Sequence, residues 1–468
     1  MNNLRIRKMY VNLRFFCRIG SVSETMKKIR EILKIGLPIM LGQACVIILA
    51  FADNIMIGWH SVDELAASSF VNNVMNLFIL TELGFATGMT PMIGAHNGTG
   101  DIKGIGTTVK NGIIVNGIIG GISIALLTVI YFCLGHFGQA PELMPYIKPY
   151  FIIVGISTVF ALGFNVLKQF TDGICKPMIS MTLLMLGNLF NIFGNWVLIY
   201  GKLGFPEMGL TGAGISTLVS RVLILIVFVA YIFKSKRMSE YARAIKVAIL
   251  SRNEMKGVFK MGYPVGIQMC LESSTFTFAA IMAGWLGVIE LAAHQVVITI
   301  SQLFFLMMQG LSFAVSILIS NAFGRKDVKS VREYARKGYF MILSVSATLS
   351  ALLYCFRYQA AGIFSDSPEV TALAVSLFFL LFAYQFGDGL QICFANVLRG
   401  IQDVKPIMYA AFVSYYIIAI PSAYLLGFKA GFGIHGIWMG FPIGLTLAGI
   451  FFFARYRSDL KKFSKQEI

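Results

Sequence analysis

The stretch GWHSVDELAA occupies residues 58–67, and GWLGVIELAA follows at residues 284–293, 226 positions later. Two further pairs share this offset, namely GLP at 36–38 with GYP at 262–264 and GDIKGI at 100–105 with KDVKSV at 326–331. Beyond them, APE at 140–142 corresponds to SPE at 367–369 with a shift of 227. Matches in the same order at a nearly constant offset indicate an internal duplication.

Long apolar stretches fill both copies of this unit. The chain of 468 residues is 57% hydrophobic and only 13% charged, with a mean hydropathy of +0.75, whereas soluble chains carry about 25% charged residues. Stretches of roughly 20 apolar residues are long enough to cross a bilayer as helices. They begin near residues 35, 66, 112, 150, 179, 209, 262, 292, 338, 370, 406 and 435. The sequence therefore predicts an all-α membrane protein with twelve transmembrane helices.

The duplication divides these helices into two sets of six. An even number of crossings returns the chain to its starting side, so the two halves are parallel repeats, and the space between them forms a central cavity. We expect five segments: a basic N-terminal segment (1–34), an N-terminal lobe (35–233), a linker (234–261), a C-terminal lobe (262–455) and a tail (456–468). Rocking of one lobe against the other would give alternating access to the cavity.

The positive charge is distributed unevenly between the two sides. The net charge of +17 is compatible with nucleic-acid binding, but the loops on one side hold only Lys148, Lys202, Arg357 and Lys429 of the 39 Lys and Arg residues. Such a bias is typical of membrane proteins whose basic loops are cytoplasmic. We therefore expect an integral inner-membrane protein with both termini in the cytoplasm and no nucleic-acid partner. The N-terminal segment lacks the apolar core of a signal peptide, and Met26 is an alternative start.

Two acidic residues lie inside apolar helices of the second half. Asp388 has Tyr384 four residues before it and Gln391 three residues after it, so the three share one helix face. Glu272 similarly has Gln268 four residues before it. A charge at this depth costs at least about 2.5–3.5 kcal/mol, which favours a functional role over a structural hydrogen bond. Oxygen ligands suit Na⁺, and two close carboxylates equally suit H⁺. We expect neither acid to have a basic partner.

The first half has polar residues of its own at membrane depth. Asp53 lies about 27 Å along the first span, in the outer part of the membrane. Glu82 is an acid in the second span, with Arg221 of the sixth span as a candidate counter-ion. The fifth span places three amides on one helix face: Asn188, Asn191 and Asn195. These amides serve either a site or the contacts between helices. Pro38 and Pro264, at matched positions, are most simply predicted to be first-turn prolines, with bending points as the alternative.

Several stretches together resemble the NorM-type branch of the multidrug and toxic compound extrusion (MATE) family. They are GLPIMLGQ and FADNIMIGW in the first span, FTDG, NIFGNWVLIYGKLG, MGYPVGIQMCLE, LAAHQV, AYQFGDGLQ and LRG. The resemblance covers roughly residues 30–455. It implies a two-lobed antiporter that exports cationic amphipathic drugs or dyes in exchange for Na⁺ or H⁺.

The resemblance also implies a set of site residues. Glu272, Tyr384 and Asp388 would form a cation site in the C-terminal lobe, where Na⁺ is the candidate metal. Asp53, Asn191 and Asn195 match polar positions of the N-terminal lobe. Asn188, Gln268 and Gln391 are supporting polar residues, and Glu82 matches no motif of the family.

Three other functions remain as alternatives. A flippase for lipid-linked precursors or polysaccharides shares the duplicated plan, but its cavity needs basic residues for phosphate, and the spans offer only Arg221. A membrane-embedded enzyme would need a nucleophile–base pair or clustered metal ligands, and neither is evident. A passive channel fits isolated acids in separate halves less well. We expect a transporter that is no enzyme, works as a monomer among membrane lipids and has no cofactor besides its coupling ion.

Overall fold

The computed structural model describes the backbone of residues 2–365 and 367–466 and the side chains of residues 26–365 and 367–465. Within these residues there is no β-strand, and twelve helices are long and apolar enough to span a membrane. We label them α1 Met26–His60, α2 Val62–Thr99, α3 Ile102–His136, α4 Pro141–Gly173, α5 Pro177–Ile199, α6 Gly209–Lys234, α7 Arg252–Leu286, α8 Val288–Gly324, α9 Val328–Cys355, α10 Pro368–Gly400, α11 Lys405–Lys429 and α12 Gly433–Lys465. The predicted number of spans is confirmed.

Most helices begin before the apolar stretches that predicted them. The helical backbone of α1 extends from Asn2 to His60, and α7 begins at Arg252, ten residues before the predicted start of the C-terminal lobe. Pro38 and Pro264 therefore lie inside their helices, and the prediction of first-turn prolines is wrong. The polar first turns carry no hydropathy signal, which explains the difference.

The turns between helices repeat in detail. Asp101 accepts a hydrogen bond from the Gly104 N–H at the start of α3, and Asp327 accepts one from the Ser330 N–H at the start of α9, both over 2.9 Å. The Gly104 N–H holds the pKa of Asp101 below its usual value. Positive φ angles recur at matched positions: Gly100 (74°) with Lys326 (58°), and Cys175 (60°) with Gln402 (65°). The two halves therefore share local geometry as well as sequence.

The segment between α6 and α7 is shorter than predicted. It contains a 3₁₀ turn at Lys236–Met238 and a helix at Ser239–Val247, and residues 248–251 then connect to α7. Ala242 and Ile245 of the short helix are buried against the first turns of α3. Its apolar face is thus covered by protein.

The lobes meet mainly where α1 packs against α8 and where α2 packs against both α7 and α8. The backbones of α2 and α7 approach closely where Gly84 and Gly88 of α2 face Gly266 and Gly262 of α7. A Cβ atom on Gly84 would lie 2.5 Å from the Gly266 Cα atom, and one on Gly88 would lie 2.7 Å from the Gly262 Cα atom. Two GxxxG motifs thus bring the helix backbones together, as small residues do in membranes.

Polar contacts between the lobes lie on one side of the molecule. We call this the basic side, because the N-terminal segment, the linker and the C-terminal end of α12 lie on it. Lys28 binds Ser330 and Glu333 over 2.9 and 3.0 Å, and Asn97 donates to Asn321 over 2.6 Å. Glu31 accepts a hydrogen bond from Tyr334, and Gln402 binds the Pro91 carbonyl.

The Gln43–Gln309 pair, 3.0 Å apart, lies deepest. In the described side chains, no inter-lobe hydrogen bond lies farther toward the opposite side.

Candidate functional site

The C-terminal lobe buries an acid whose oxygens are without hydrogen-bond partners. Asp388 is completely inaccessible, and neither carboxylate oxygen has a partner among the described side chains. The charges of Glu272 and Asp388 interact, and Tyr384 lies close to both. The structure thus places the three predicted residues together, although they come from α7 and α10. Two carboxylates and a phenol oxygen near one another form a site that favours a small hard cation.

Glu272 has a basic partner that was not expected. Gln268 donates to Glu272 Oε2 over 2.9 Å, and Arg399 donates to the other end of the Gln268 amide. The Arg399 side chain is buried near the end of α10. The prediction that these acids lack a basic partner is therefore wrong for Glu272. Arg399 is remote from Glu272 in sequence and resembles a loop residue, so only the packing of α10 against α7 reveals the connection.

A second tyrosine completes this cluster. Tyr415 of α11 is buried beside the charges of Glu272 and Asp388, and its hydroxyl accepts a hydrogen bond from Gln391 over 2.9 Å. It lies in a π-helical stretch, Val413–Ala419. Wider helical turns of this kind are frequent at functional sites. The aromatic pair Tyr415–Tyr416 was the one available signal in the sequence, and it could not identify which ring faces the acids.

Aromatic rings line the cluster on the α12 side. The rings of Phe276 and Phe441 stack with centroids 5.1 Å apart, and Trp438 lies 5.3 Å from Phe441. Tyr384 makes edge contacts with Trp438 and Phe441. These apolar walls shield Asp388 from water, which strengthens the electrostatic attraction of any cation that reaches it.

The N-terminal lobe holds a separate cluster around Asp53. Asn195 donates to Asp53 Oδ1 over 2.6 Å. The Asn191 amide lies 3.1 Å from the same oxygen, and it donates a hydrogen bond there when its nitrogen faces Asp53. Asn188 instead donates to the Cys45 carbonyl over 2.8 Å and connects α5 to α1. Of the three predicted amides, two therefore contact the acid and one joins helices.

Glu82 and Arg221 belong to the same lobe and interact with each other. The charge of Arg221 acts on both Asp53 and Glu82, and its guanidinium donates to Ser157 over 2.7 Å. Glu82 is buried, and its Oε1 atom has no hydrogen-bond partner among the described residues. Arg221 is thus the counter-charge of Asp53, which was predicted to bind the coupling cation, and of Glu82, which was predicted as a supporting residue.

The acids of the two lobes do not follow the duplication. The residue 226 positions after Asp53 is Ala279, and the residue 226 positions before Glu272 is Val46. Each lobe therefore has its own arrangement of two acids and a nearby arginine. Among the described residues, no three His, Cys, Asp or Glu side chains are placed to hold a metal ion. The C-terminal cluster instead offers two carboxylates with neutral oxygens, a set suited to a weakly bound monovalent cation.

Comparison with known proteins places the chain in a family. The MatE family profile matches it twice, at residues 38–197 and 264–425. The multidrug resistance protein NorM of Aliivibrio fischeri is 30% identical over 434 residues, which cover 91% of this chain and 93% of that protein. NorM of Photobacterium profundum is 29% identical over 441 residues, which cover 92% and 95%. The chain belongs to the MatE family of multidrug efflux transporters, and it is an integral multi-pass membrane protein.

Solved structures agree on the fold. A crystal structure of a MATE protein in the bent conformation has a TM-score of 0.86 at 20% identity, covering 94% of this chain and 97% of that one. The eukaryotic MATE transporter AtDTX14 has a TM-score of 0.84 at 19% identity, covering 95% and 100%. The predicted all-α fold with twelve spans in two six-helix lobes is thereby confirmed.

Proposed function

We propose that this protein exports cationic amphipathic compounds from the cell in exchange for Na⁺ or H⁺ by alternating access. The observation that carries the proposal is the C-terminal acid cluster. Asp388 is inaccessible and both of its oxygens are without partners, at a cost that a purely structural role does not explain. A coupling ion that binds and leaves in each cycle gives these oxygens a partner for part of the cycle.

The contacts between the lobes support the alternating-access part of the proposal. The inter-lobe hydrogen bonds and both GxxxG motifs lie from the level of Gln43–Gln309 to the basic side. We take the basic side as cytoplasmic because of its excess of Lys and Arg. The conformation is then closed toward the cytoplasm, and a second conformation must break these contacts. A bound ion and a bound drug drive the exchange when each has different affinities for the two conformations.

The substrate class rests on the relatives and on the charge of the sites. The two relatives are named as multidrug resistance proteins. Buried carboxylates beside stacked aromatic rings attract organic cations by charge and by cation–π contact. The flippase alternative needs basic groups free to bind phosphate, whereas Arg221 and Arg399 both act on acids. A transporter rather than an enzyme is the function that these groups serve best.

Transport in liposomes tests the proposal. Purified protein is reconstituted with a fluorescent cationic dye, and either a Na⁺ gradient or a pH gradient is imposed. We expect dye movement against its gradient with at least one ion, and loss of that movement in Asp388→Asn, which retains shape but removes the charge. At normal expression levels the variant should still bind the dye, although an ion gradient no longer drives dye movement.

A matched control separates coupling from general damage. Glu290→Gln removes an acid at the start of α8, away from both clusters, and should export dye as the wild type does. Full export by Asp388→Asn under both gradients would contradict the proposal, and so would a wild type that moves dye with neither ion.

A further inference from the structure

Arg399 connects the C-terminal acids to the basic side of the molecule. Its guanidinium donates through one terminal nitrogen to Gln268 and through the other to Asn396 over 3.3 Å, and its Nε atom has no partner among the described residues. Gln268 in turn donates a hydrogen bond to Glu272. Two hydrogen bonds and one amide group therefore separate the guanidinium from the carboxylate, a path of at most about 8 Å.

The helix positions place Arg399 between the acids and the cytoplasmic surface. Arg399 lies eleven residues after Asp388 on α10, about 16 Å nearer the basic side. It also lines a small cavity of about 20 Å³ between the lobes, with Gln169 and Asp172 of the N-terminal lobe on the far wall. A cation that leaves the acids toward the cytoplasm thus passes a fixed positive charge.

We propose that Arg399 is the permanent counter-charge of the C-terminal site and limits it to one Na⁺. When both are ionised to bind a metal cation, Glu272 and Asp388 carry two negative charges in a low-dielectric interior. Arg399 compensates one of these negative charges through Gln268, so a single bound monovalent cation makes the site neutral. The neutral oxygens of Tyr384 and Tyr415, the titratable neighbours of both acids, suit Na⁺ as that cation. The inference rests on the proposed function.

The sign of the effect distinguishes this role from a structural one. Loss of the positive charge leaves both carboxylates uncompensated, and their attraction for Na⁺ increases. One unit charge within about 8 Å at an effective dielectric constant of about 20 gives a roughly thirty-fold tighter binding constant for Arg399→Gln. A merely structural arginine, when replaced, would loosen α7 against α10 and weaken binding. Arg399→Lys keeps the charge and should bind Na⁺ within about three-fold of the wild type.

The test measures the thermal unfolding midpoint of the full chain in detergent against NaCl at constant pH, with N-methylglucamine chloride holding the ionic strength constant. A ligand that binds the native state raises the midpoint with its concentration, and the curve gives an apparent binding constant. We expect half-saturation of Arg399→Gln at about one thirtieth of the wild-type Na⁺ concentration. Should that variant not fold, Arg399→Met, which also removes the positive charge, should likewise tighten binding.

Each outcome decides between the proposals. Unchanged or weaker Na⁺ binding in Arg399→Gln, or in Arg399→Met if the former does not fold, overturns the counter-charge role and leaves the transport proposal standing. If the wild type does not bind Na⁺ but exports dye under a pH gradient, this inference is likewise wrong and the transport proposal stands. A wild type that shows neither Na⁺ binding nor ion-driven export removes both.

Discussion

Replacement of Gly84 by Ala should open the inter-lobe contact on the basic side. The added Cβ atom would lie 2.5 Å from the Gly266 Cα atom and 2.9 Å from its nitrogen. Ordinary contact begins at 3.4 Å, so the helices α2 and α7 must separate by about 0.9 Å. The obstructing atoms belong to the backbone, and no side chain can rotate away.

The expected free-energy change follows from this overlap. Overpacking of a tight contact costs about 1–3 kcal/mol, and about 2 kcal/mol reduces the ratio of closed to open conformations roughly 30-fold. Spin labels on a cysteine-free background at Lys103 and Arg336, which are exposed in the two lobes on the basic side, report the separation by pulsed EPR. We expect a larger fraction of long distances in Gly84→Ala.

Gly117→Ala is the matched control. Gly117 faces open space on α3, with no atom within 4 Å of the added Cβ, and its substitution should leave the distance distribution unchanged. A Gly84→Ala distribution equal to that of the wild type and of the control would refute the view that the paired GxxxG motifs hold the basic side closed.

Two further predictions concern the site and the repeat. The double variant Glu272→Gln/Asp388→Asn should export dye within about two-fold of the weaker single variant, because the two acids act as one site; independent, multiplying losses in the liposome assay would contradict this. Asp327→Ala should lower stability by about 1 kcal/mol through loss of a helix cap, and Asp101→Ala should do the same because the cap geometry repeats. Unequal shifts of the thermal unfolding midpoint by more than about two-fold would show that the turns are not equivalent.

The fold was accessible from the sequence because its signals are local or periodic. Apolar stretches long enough for a bilayer mark each helix, and the pair GWHSVDELAA and GWLGVIELAA marks the duplication without any knowledge of contacts. The helix ends were not predicted correctly, because hydropathy carries no signal for them. The first turns of α7 are polar, and helix formation there follows from backbone hydrogen bonds and the Ser251 cap rather than from hydropathy.

The site was accessible only in part. Asp388 and Glu272 could be selected one at a time, because a carboxylate inside an apolar helix is costly wherever the other helices lie. The sequence could not identify the partners, since Arg399, Tyr415 and Arg221 reach the acids from other helices or from distant turns. Helix periodicity determines which residues share a face, whereas the packing of one helix against another determines which faces meet. The counter-charges, the π-helical placement of Tyr415 and the glycine contact between the lobes were therefore decided by tertiary structure alone.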